Sequence, residues 1–252
     1  MIKVVVSGAM GKMGKEISEL ISSRNDMKIV AGLDVIYEEL EDFTIYDDIG
    51  KIPTIPDVIV DFSHPSAISK LTDYAVLQGV ALVTGTTGLK EQHKKILYEA
   101  SKNIPVFVSH NMCLGIFMTI DLVRQAVKMF KNHDIEIVEM HHNQKVDAPS
   151  GTALMIGDAI KEIKQDSQYI FNRADICRKR NNNEIGIHSI RGGNLVGEHK
   201  IMFIGEDENI EISHKLTSRD VLAKGAIEAI SFIAQQKKGY FTMSDLAKKL
   251  SI

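Results

Sequence analysis

The stretch Ile2–Gly14, IKVVVSGAMGKMG, decides the fold of this chain of 252 residues. Its first five residues form an apolar strand pattern, and a glycine turn follows directly. Apolar residues then recur at helical spacing, at Met13, Ile17 and Ile21. A strand that passes through a glycine turn into a helix is the first unit of an alternating strand–helix fold.

The same alternation continues through the first part of the chain. Strands are predicted at Lys28–Leu33, Val58–Val60, Val80–Thr84 and Ile104–Ser109, and helices at Ser66–Gln78 and Glu91–Lys102. These strands are continuously apolar rather than alternating, which is typical of a parallel sheet that is covered on both faces. The first part therefore predicts a doubly wound α/β domain.

The pattern changes after Asn111. Helices are predicted at Ile116–Phe130 and Gly151–Lys164, and strands at Ile135–Met140, Glu184–Arg191, His199–Ile204 and Asn209–His214. Strand-like runs with short turns between them favour antiparallel pairs, so we expect a smaller α+β domain with a mixed open sheet. We place the first domain at residues 1–110 and 219–252, with a return near Arg219, and the second at residues 111–218.

Composition bounds the possible partners and the compartment. The chain has 44% hydrophobic and 25% charged residues and a formal net charge of −3, which gives no reason to expect nucleic-acid or membrane binding. The basic run Arg178–Arg180 precedes three asparagines and is interpreted as a solvated loop; a nucleic-acid patch is the remote alternative.

Cysteine usage and the absence of a targeting pattern point to the cytoplasm. Cys113 and Cys177 lie far apart and outside any CxxC motif, which favours a reducing compartment over disulfides or a structural zinc site. The chain enters a strand pattern at once, without the basic and apolar regions of a signal peptide. No apolar run approaches the roughly 18–20 residues that cross a bilayer.

The glycine turn indicates a dinucleotide site. Gly8–Gly14 has the spacing G-x-x-G-x-x-G, and such glycines allow a tight turn and a close approach to a pyrophosphate. Asp34 ends the second strand, where a carboxylate accepts hydrogen bonds from the adenosine ribose. Val35 follows in place of an arginine that would bind a 2′-phosphate, so we expect NADH to be preferred over NADPH. The turn Gly85–Gly88 follows another strand and is expected at the same crevice.

The segment His141–Leu154, HHNQKVDAPSGTAL, is the densest group of chemically active residues. Histidine can transfer a proton near neutral pH, and Lys145 supplies a cation and a second proton. The Ser-Gly-Thr start of the helix at Gly151 offers backbone N–H groups that suit a carboxylate. The segment therefore indicates a site that holds an anionic small molecule and protonates it.

Other chemically active residues are assigned weaker roles. Four histidines are expected to be structural or peripheral, namely His64, His188, His199 and His214. An alternative stays open, in which the fold brings Arg191, His199 or His214 back to the substrate. Cys113 has no neighbouring base and is not expected to be a nucleophile. No metal site is expected, because His-His-x-x-Lys lacks the ligand spacing of a zinc hydrolase.

Several of these groups together resemble one family, the 4-hydroxy-tetrahydrodipicolinate reductases (dihydrodipicolinate reductases) of lysine and diaminopimelate biosynthesis. The resemblance runs nearly end to end, and its most specific part is His141–His142 with Lys145–Ala153. The other matching groups are Gly8–Gly14, Asp61–Pro65, Gly85–Gly88, Ser109–Met112, Arg191–Gly193, Gly197–His199, His214 and Ser218–Arg219.

The resemblance implies an NAD(P)H-dependent reductase with a Rossmann domain, a mixed-sheet domain for substrate binding and oligomerisation, a small dicarboxylate substrate and a homotetramer. It implies that His141 is the proton donor, Lys145 a second donor or substrate anchor, His142 a substrate contact, and Gly151 with Thr152 a carboxylate site. The implied cofactor contacts are Gly8, Ala9, Met10, Gly11, Lys12, Met13, Asp34, Gly85, Thr86, Thr87, Ser109, His110, Asn111 and Met112.

Two other classes of function stay open at this point. A non-catalytic NAD-sensing module would bind the cofactor but would not need the proton-donating segment. Another two-domain dehydrogenase of amino-acid metabolism would use the same cofactor on a different substrate. Substitution of His141 by glutamine separates a sensor from an enzyme, because only an enzyme would lose turnover.

Overall fold

The computed structural model describes residues 1–218 and 220–250, so the predicted return near Arg219 lies outside the described residues. The strands are β1 Ile2–Ser7, β2 Met27–Leu33, β3 Glu38–Glu39, β4 Thr44–Tyr46, β5 Val58–Asp61, β6 Ala81–Thr84, β7 Pro105–Val108, β8 Asp134–His141, β9 Gln168–Ile170, β10 Glu184–Arg191, β11 Gly197–Ile204, β12 Asn209–Leu216 and β13 Gly239–Phe241. The helices are α1 Lys12–Ser22, α2 Ile68–Gln78, α3 Glu91–Ala100, α4 Leu114–Met129, α5 Gly151–Lys161, α6 Asp220–Ile233 and α7 Met243–Leu250.

The chain divides into two compact units. The first unit contains Met1–Cys113 and Asp220–Ile252, and the second contains Leu114–Arg219. The sheet of the first unit has the strand order β13-β7-β6-β5-β1-β2-β4-β3, and every pair except β3 with β4 is parallel. The order reverses at β1, so the carboxyl ends of β1, β2 and β5 lie at a switch point, where α/β sheets bind ligands.

The first unit has a core of aliphatic side chains. The central strands β1 and β5 contain the valine and isoleucine runs Val4–Val6 and Val58–Val60, which are buried as a sheet covered on both faces requires. Helix α6 packs on β5, β6, β7 and α1, and β13 pairs with β7. The last part of the described chain therefore completes the first unit.

The second unit is built on a mixed sheet with the order β12-β11-β8-β10-β9. Strand β8 lies in the centre, parallel to β10 and antiparallel to β11, and β11 pairs with β12 in antiparallel fashion. Strands β10 and β11 follow each other in sequence but do not pair, because β8 lies between them. Helices α4 and α5 pack against each other, and their buried faces complete this unit.

The predicted fold class is confirmed, with a doubly wound parallel sheet and a smaller α+β unit with a mixed sheet. One local interpretation needs correction. Lys179 is exposed, as expected of a solvated loop, but Arg178 pairs with the buried carboxylate of Glu184 and the Arg180 side chain is only 17% exposed. It binds Asp134 and Glu136, so this cation is neutralised within the chain. No helix among residues 1–218 and 220–250 is long and apolar enough to span a membrane.

Candidate functional site

The glycine turn after β1 is a crowded backbone structure that excludes side chains. Gly8 has a φ of +78°, and a Cβ at this position would lie 2.6 Å from the carbonyl oxygen of Phe62. A Cβ at Gly14 would lie 2.1 Å from the carbonyl oxygen of Gly8. Position 8 therefore requires glycine both for its positive φ and because a side chain would not fit. Position 14 requires glycine so that α1 can pack closely against the turn.

Asp34 connects the end of β2 to this turn. Its Oδ2 accepts a hydrogen bond from the N–H of Met10 at 2.9 Å, and its Oδ1 accepts one from the N–H of Val35 at 2.8 Å. Each carboxylate oxygen retains a second lone pair for a ligand hydroxyl. A cavity of about 220 Å³ opens beside it, lined by Gly8, Asp34, Val35 and Lys70 among others. This arrangement suits the nucleoside part of a dinucleotide.

A buried carboxylate, Asp61, holds the ends of three neighbouring strands in place. It accepts hydrogen bonds from the hydroxyl groups of Ser7 at 2.9 Å, Thr84 at 3.0 Å and Thr86 at 2.7 Å, and also from the hydroxyl of Ser63. The Asp61 side chain is inaccessible to solvent. The network therefore fixes the turns that follow β1, β5 and β6 relative to one another.

The turn after β6 and the segment after β7 complete this edge of the first unit. A Cβ at Gly85 would lie 2.2 Å from the ring of Phe62, so glycine is required here for space. The N–H of Ser109 donates to the carbonyl oxygen of Thr84 at 3.1 Å, and the side-chain oxygen of Asn111 accepts from the N–H of Cys113 at 2.8 Å. The predicted cofactor contacts on these two segments thus follow directly after two adjacent strands.

The second unit places His141 at the carboxyl end of β8, next to a carboxylate that the sequence pattern alone did not reveal. Nδ1 of His141 lies 2.6 Å from Oε2 of Glu139, two residues earlier on the same face of the strand. A carboxylate at Nδ1 favours the tautomer with the proton on that nitrogen, which leaves Nε2 to interact with a ligand. Gly197 lies beside Nε2, where a Cβ would be 3.1 Å away.

Arg191, at the end of β10, neutralises Glu139. Its guanidinium donates to both carboxylate oxygens of Glu139, at 2.9 and 2.7 Å. Burial acts to raise the pKa of the Glu139 carboxyl, but hydrogen bonds from Arg191, Ser189 and His141 outweigh it and lower the pKa to about 2. Glu139 is therefore ionised at neutral pH although it is fully buried.

His199 and Ser150 connect His141 to the start of α5. The rings of His141 and His199 meet edge to face with centroids 5.3 Å apart, and Nε2 of His199 lies 3.1 Å from the hydroxyl of Ser150. Ser150 caps α5 by accepting from the N–H of Ala153 at 3.2 Å, and its own N–H donates to Glu139. Burial lowers the pKa of His199 to about 4, so this imidazole is neutral near pH 7.

Lys145 lies on the loop between β8 and α5. Its N–H donates to the carbonyl oxygen of His142 at 3.2 Å, and its Nζ lies 2.8 Å from Oδ1 of Asp147. Burial is the largest influence on the pKa of His141 and lowers it, and the charge of Lys145 lowers it further. Glu139 opposes both effects. A negatively charged ligand beside these two residues would raise the pKa of His141 and so favour its protonation.

The structure places the predicted site residues in two groups, one in each unit. His141, Lys145 and the start of α5 lie together, with Gly151 open: a Cβ there would meet nothing within 4 Å. Arg191 and His199 also belong to this group. In the first unit, Ala9, Thr86, Ser109 and Met112 are buried; Met10, Met13, Asp34 and Asn111 are partly buried; and Gly11, Lys12, Thr87 and His110 are exposed.

The sequence analysis assigned no role to Glu139 or to Asp61, although a local signal was available for Glu139. Glu139 occupies an inward position of a strand whose other inward residues, Ile135 and Ile137, are apolar. A charged residue there must find a partner in the fold.

No cluster of three or more potential ligands for a metal ion occurs among residues 1–218 and 220–250.

Sequence comparisons identify one family over both halves of the chain. The family described as "Dihydrodipicolinate reductase, N-terminus" matches residues 2–112, and "Dihydrodipicolinate reductase, C-terminus" matches residues 115–247. The 4-hydroxy-tetrahydrodipicolinate reductase of Caldanaerobacter subterraneus is 46% identical over 250 residues, which is 99% of each chain. That of Clostridium novyi is 43% identical over 250 residues, 98% of this chain and 99% of the relative.

Solved structures share the fold. A dipicolinate-bound dihydrodipicolinate reductase from Paenisporosarcina sp. TG-14 superposes with a TM-score of 0.80 at 25% identity, covering 97% of this chain and 99% of that one. A DAP dehydrogenase from C. glutamicum, in complex with DAP, has a TM-score of 0.59 at 16% identity and covers 99% and 95% of the two chains. The second similarity is one of fold alone.

Proposed function

The chain belongs to the dihydrodipicolinate reductase family, and on this basis we propose which of its residues perform the reaction. It is an NAD(P)H-dependent oxidoreductase of lysine and diaminopimelate biosynthesis that reduces 4-hydroxy-tetrahydrodipicolinate to tetrahydrodipicolinate, with the 4-hydroxyl group leaving as water. The comparisons favour this function over a sensing module and over another dehydrogenase of amino-acid metabolism, because the named relatives match the chain from end to end.

The residues of the first unit fit a dinucleotide, which supplies a hydride when it is bound. Glycine-rich turns of this kind let phosphates approach the backbone, and Asp34 offers carboxylate oxygens to the ribose hydroxyls. We place the remaining cofactor contacts on the segments Gly85–Thr87 and Ser109–Met112.

NADH is the preferred cofactor in this proposal. The Asp34 carboxylate would repel a 2′-phosphate, and the Val35 side chain that follows carries no charge. Lys70 lines the same cavity, but its Nζ lies 2.7 Å from Oδ2 of Asp48, so its charge is already balanced. NADPH would therefore bind without the cation that normally compensates its additional phosphate.

His141 delivers the proton through Nε2, because Nδ1 is engaged by Glu139. Its pKa is lowered in the protein alone, and the two carboxylates of the substrate would raise it. The substrate thereby promotes the protonation of the group that must protonate it. Lys145 contributes a positive charge that attracts the same carboxylates, as a substrate anchor or a second donor, and His142 contacts the substrate.

One substrate carboxylate binds at the start of α5. The start of a helix attracts an anion through its dipole and through backbone N–H groups that point out of the helix end. Gly151 leaves this helix end open, since a Cβ on it would meet nothing within 4 Å. We assign the backbone of Gly151 and Thr152 to this carboxylate.

The observation that carries the proposal is the hydrogen bond between Nδ1 of His141 and the buried carboxylate of Glu139. Its test is the loss of nicotinamide absorbance when the protein meets the fresh condensation product of pyruvate and aspartate semialdehyde, with NADH and NADPH in parallel. The variant His141→Gln should lose at least about 100-fold in kcat, the contribution of a general acid, and still bind NADH.

A matched control is His188→Gln. His188 also contacts a glutamate of β8, with Nε2 2.8 Å from Oε2 of Glu136, but it is not among the proposed catalytic residues. It should keep wild-type turnover. Full activity of His141→Gln, or an equal loss in both variants, would refute the assignment of His141.

We also propose a cytoplasmic homotetramer. Both cysteines are free thiols, Cys113 buried and Cys177 exposed, which fits a reducing compartment. Light scattering coupled to gel filtration tests the tetramer, and cell fractionation tests the location. A mass near the 28.0 kDa of one chain would refute the assembly.

A further inference from the structure

One guanidinium contacts both parts of the second unit that carry proposed proton donors. Arg191 binds the Glu139 carboxylate with two nitrogens, and the Nη2 nitrogen also donates to the carbonyl oxygen of Asp147 at 2.6 Å. Glu139 holds Nδ1 of His141, and the side chain of Asp147 holds Nζ of Lys145 at 2.8 Å. Arg191 is therefore connected to each proposed donor through a single intervening residue, to His141 through Glu139 and to Lys145 through Asp147.

We propose that Arg191 is a positioning residue for the reduction, which fixes His141 and Lys145 relative to each other through Glu139 and the backbone of Asp147. This inference rests on the proposed function, since it assumes that His141 and Lys145 act on the substrate. Arg191 does not itself need to contact the substrate.

The geometry of the contacts requires arginine. Its planar group presents several N–H donors in a fixed arrangement, which matches the two oxygens of a carboxylate and leaves a donor for a carbonyl oxygen. A lysine at the same place would keep the charge but could not hold the same three acceptors in fixed directions. The Arg191 side chain is 19% exposed, so solvent screens these contacts only weakly.

Charge adds a second reason. Glu139 is fully buried, and an ionised carboxylate in the interior needs a paired cation. Without Arg191 that role would fall to His141, whose imidazolium form would then be stabilised by an otherwise unpaired Glu139. Arg191 thus allows Glu139 to orient His141 without keeping it permanently protonated, because a permanent cation is a poor proton donor.

The variants are Arg191→Met, which removes the positive charge, and Arg191→Lys, which keeps the charge but removes the planar set of N–H donors. A matched control is Arg124→Met, which also loses contacts to two carboxylates, Asp121 and Glu162. Because Arg191→Met leaves a buried charge and could fail to fold, the double variant Glu139→Gln with Arg191→Met provides a second form of the site without that charge.

The primary readout is the titration of His141 by NMR of protein labelled with ¹⁵N-histidine, assigned by the signals lost in His141→Asn. In Arg191→Met the midpoint should rise by about one pH unit, since a positive neighbour has been removed and Glu139 is no longer shared. In Arg191→Lys the midpoint should stay near the wild-type value. In the double variant both neutral tautomers should be populated, because the amide of glutamine can donate to or accept from Nδ1.

The second readout is turnover. In all three Arg191 variants kcat should fall by about 10- to 100-fold with the dissociation constant for NADH unchanged, as expected when reacting groups are misplaced by about 1 Å. An unchanged His141 titration in Arg191→Met, wild-type kcat in Arg191→Lys, or an equal loss in Arg124→Met would each overturn the inference.

The titration does not use the substrate, so the two proposals can fail separately. If the wild-type protein does not oxidise NADH with the condensation product but Arg191→Met shifts the His141 midpoint, the function is refuted and the coupling of Arg191 to His141 stands. If turnover is found and the midpoint does not move, the function stands and the positioning role is refuted.

Discussion

Gly197 lies against the side of the His141 ring that faces away from Glu139. A Cβ on residue 197 would be 3.1 Å from Nε2 and 3.4 Å from Cδ2 of that ring. The residue does not have a positive φ, so its backbone conformation would accept any side chain. Space beside the imidazole, rather than backbone geometry, is what favours glycine at this position of β11.

Gly197→Ala should reduce kcat by about tenfold, because the ring must shift away from the added methyl group and lose its alignment. Binding of NADH, followed by fluorescence, should not change. Gly192→Ala is the matched control, since a Cβ there would meet nothing within 4 Å and its φ is not positive. Wild-type turnover in Gly197→Ala would show that the Nε2 side of His141 does not have to stay open.

Glu139 should make the protein sensitive to acid. Its folded-state pKa of about 2 lies below the ordinary value of 4.5, so it contributes stability above pH 4.5 that is lost as the pH falls towards 2. The contribution is on the order of 3 kcal/mol. Urea unfolding measured between pH 6 and pH 3 should therefore show a steeper fall for the wild type than for Glu139→Gln. Parallel curves would mean that Glu139 is not preferentially ionised in the folded state.

Neutralising Lys145 should raise the pKa of His141, because the positive charge of Lys145 lowers it. Lys145→Met is expected to move the NMR titration midpoint upward by a few tenths of a pH unit, a small effect since the Lys145 charge is shared with Asp147. Lys94→Met, on α3 of the first unit, should leave the midpoint in place. A downward shift in Lys145→Met would contradict the placement of these two residues.

Asp34→Ala should change the choice of cofactor. Loss of the carboxylate removes an acceptor for the ribose hydroxyls and a repulsive charge against a 2′-phosphate, so the ratio of kcat/KM for NADH over NADPH should fall by about tenfold. The ratio is the useful quantity, because the loss of the bond to Met10 N–H affects both cofactors. Asp73→Ala, on the exposed side of α2, should keep the wild-type ratio.

Periodicity in the sequence predicted the long elements well and the short ones poorly. The strand predicted at Glu184–Arg191 has those bounds in the structure, and the apolar strand pattern that begins at Ile2 is β1. Strands β3, β4, β9 and β13 have only two or three residues each, too few to show a period, and were not predicted. The order in which the strands pair could not be predicted from the sequence either. Strand β8 lies between β10 and β11, and its contacts with them join residues that are far apart along the chain.

The candidate site was also predicted only in part, because some of its residues are close in sequence and others come together only in the folded sheet. His141 and Lys145 are neighbours in sequence, so their proximity could be expected from spacing alone. Arg191 and His199 come to His141 only through the register of the sheet, in which Arg191 pairs with His141 and His199 with Glu139. Local patterns contain no information on that register. The buried position of Glu139 within an apolar strand face was the one local sign that an ion pair was needed.

The first unit is made from two separated stretches of the chain, and this has a consequence for its synthesis on the ribosome. Strand β13 must pair with β7, and α6 must cover β5 and β6, yet the whole of the second unit is translated between them. The strands whose apolar surface α6 covers are therefore synthesised long before α6 itself leaves the ribosome. Since exposed apolar surface promotes aggregation of nascent chains, the interval before residue 220 is when this protein most needs protection by chaperones.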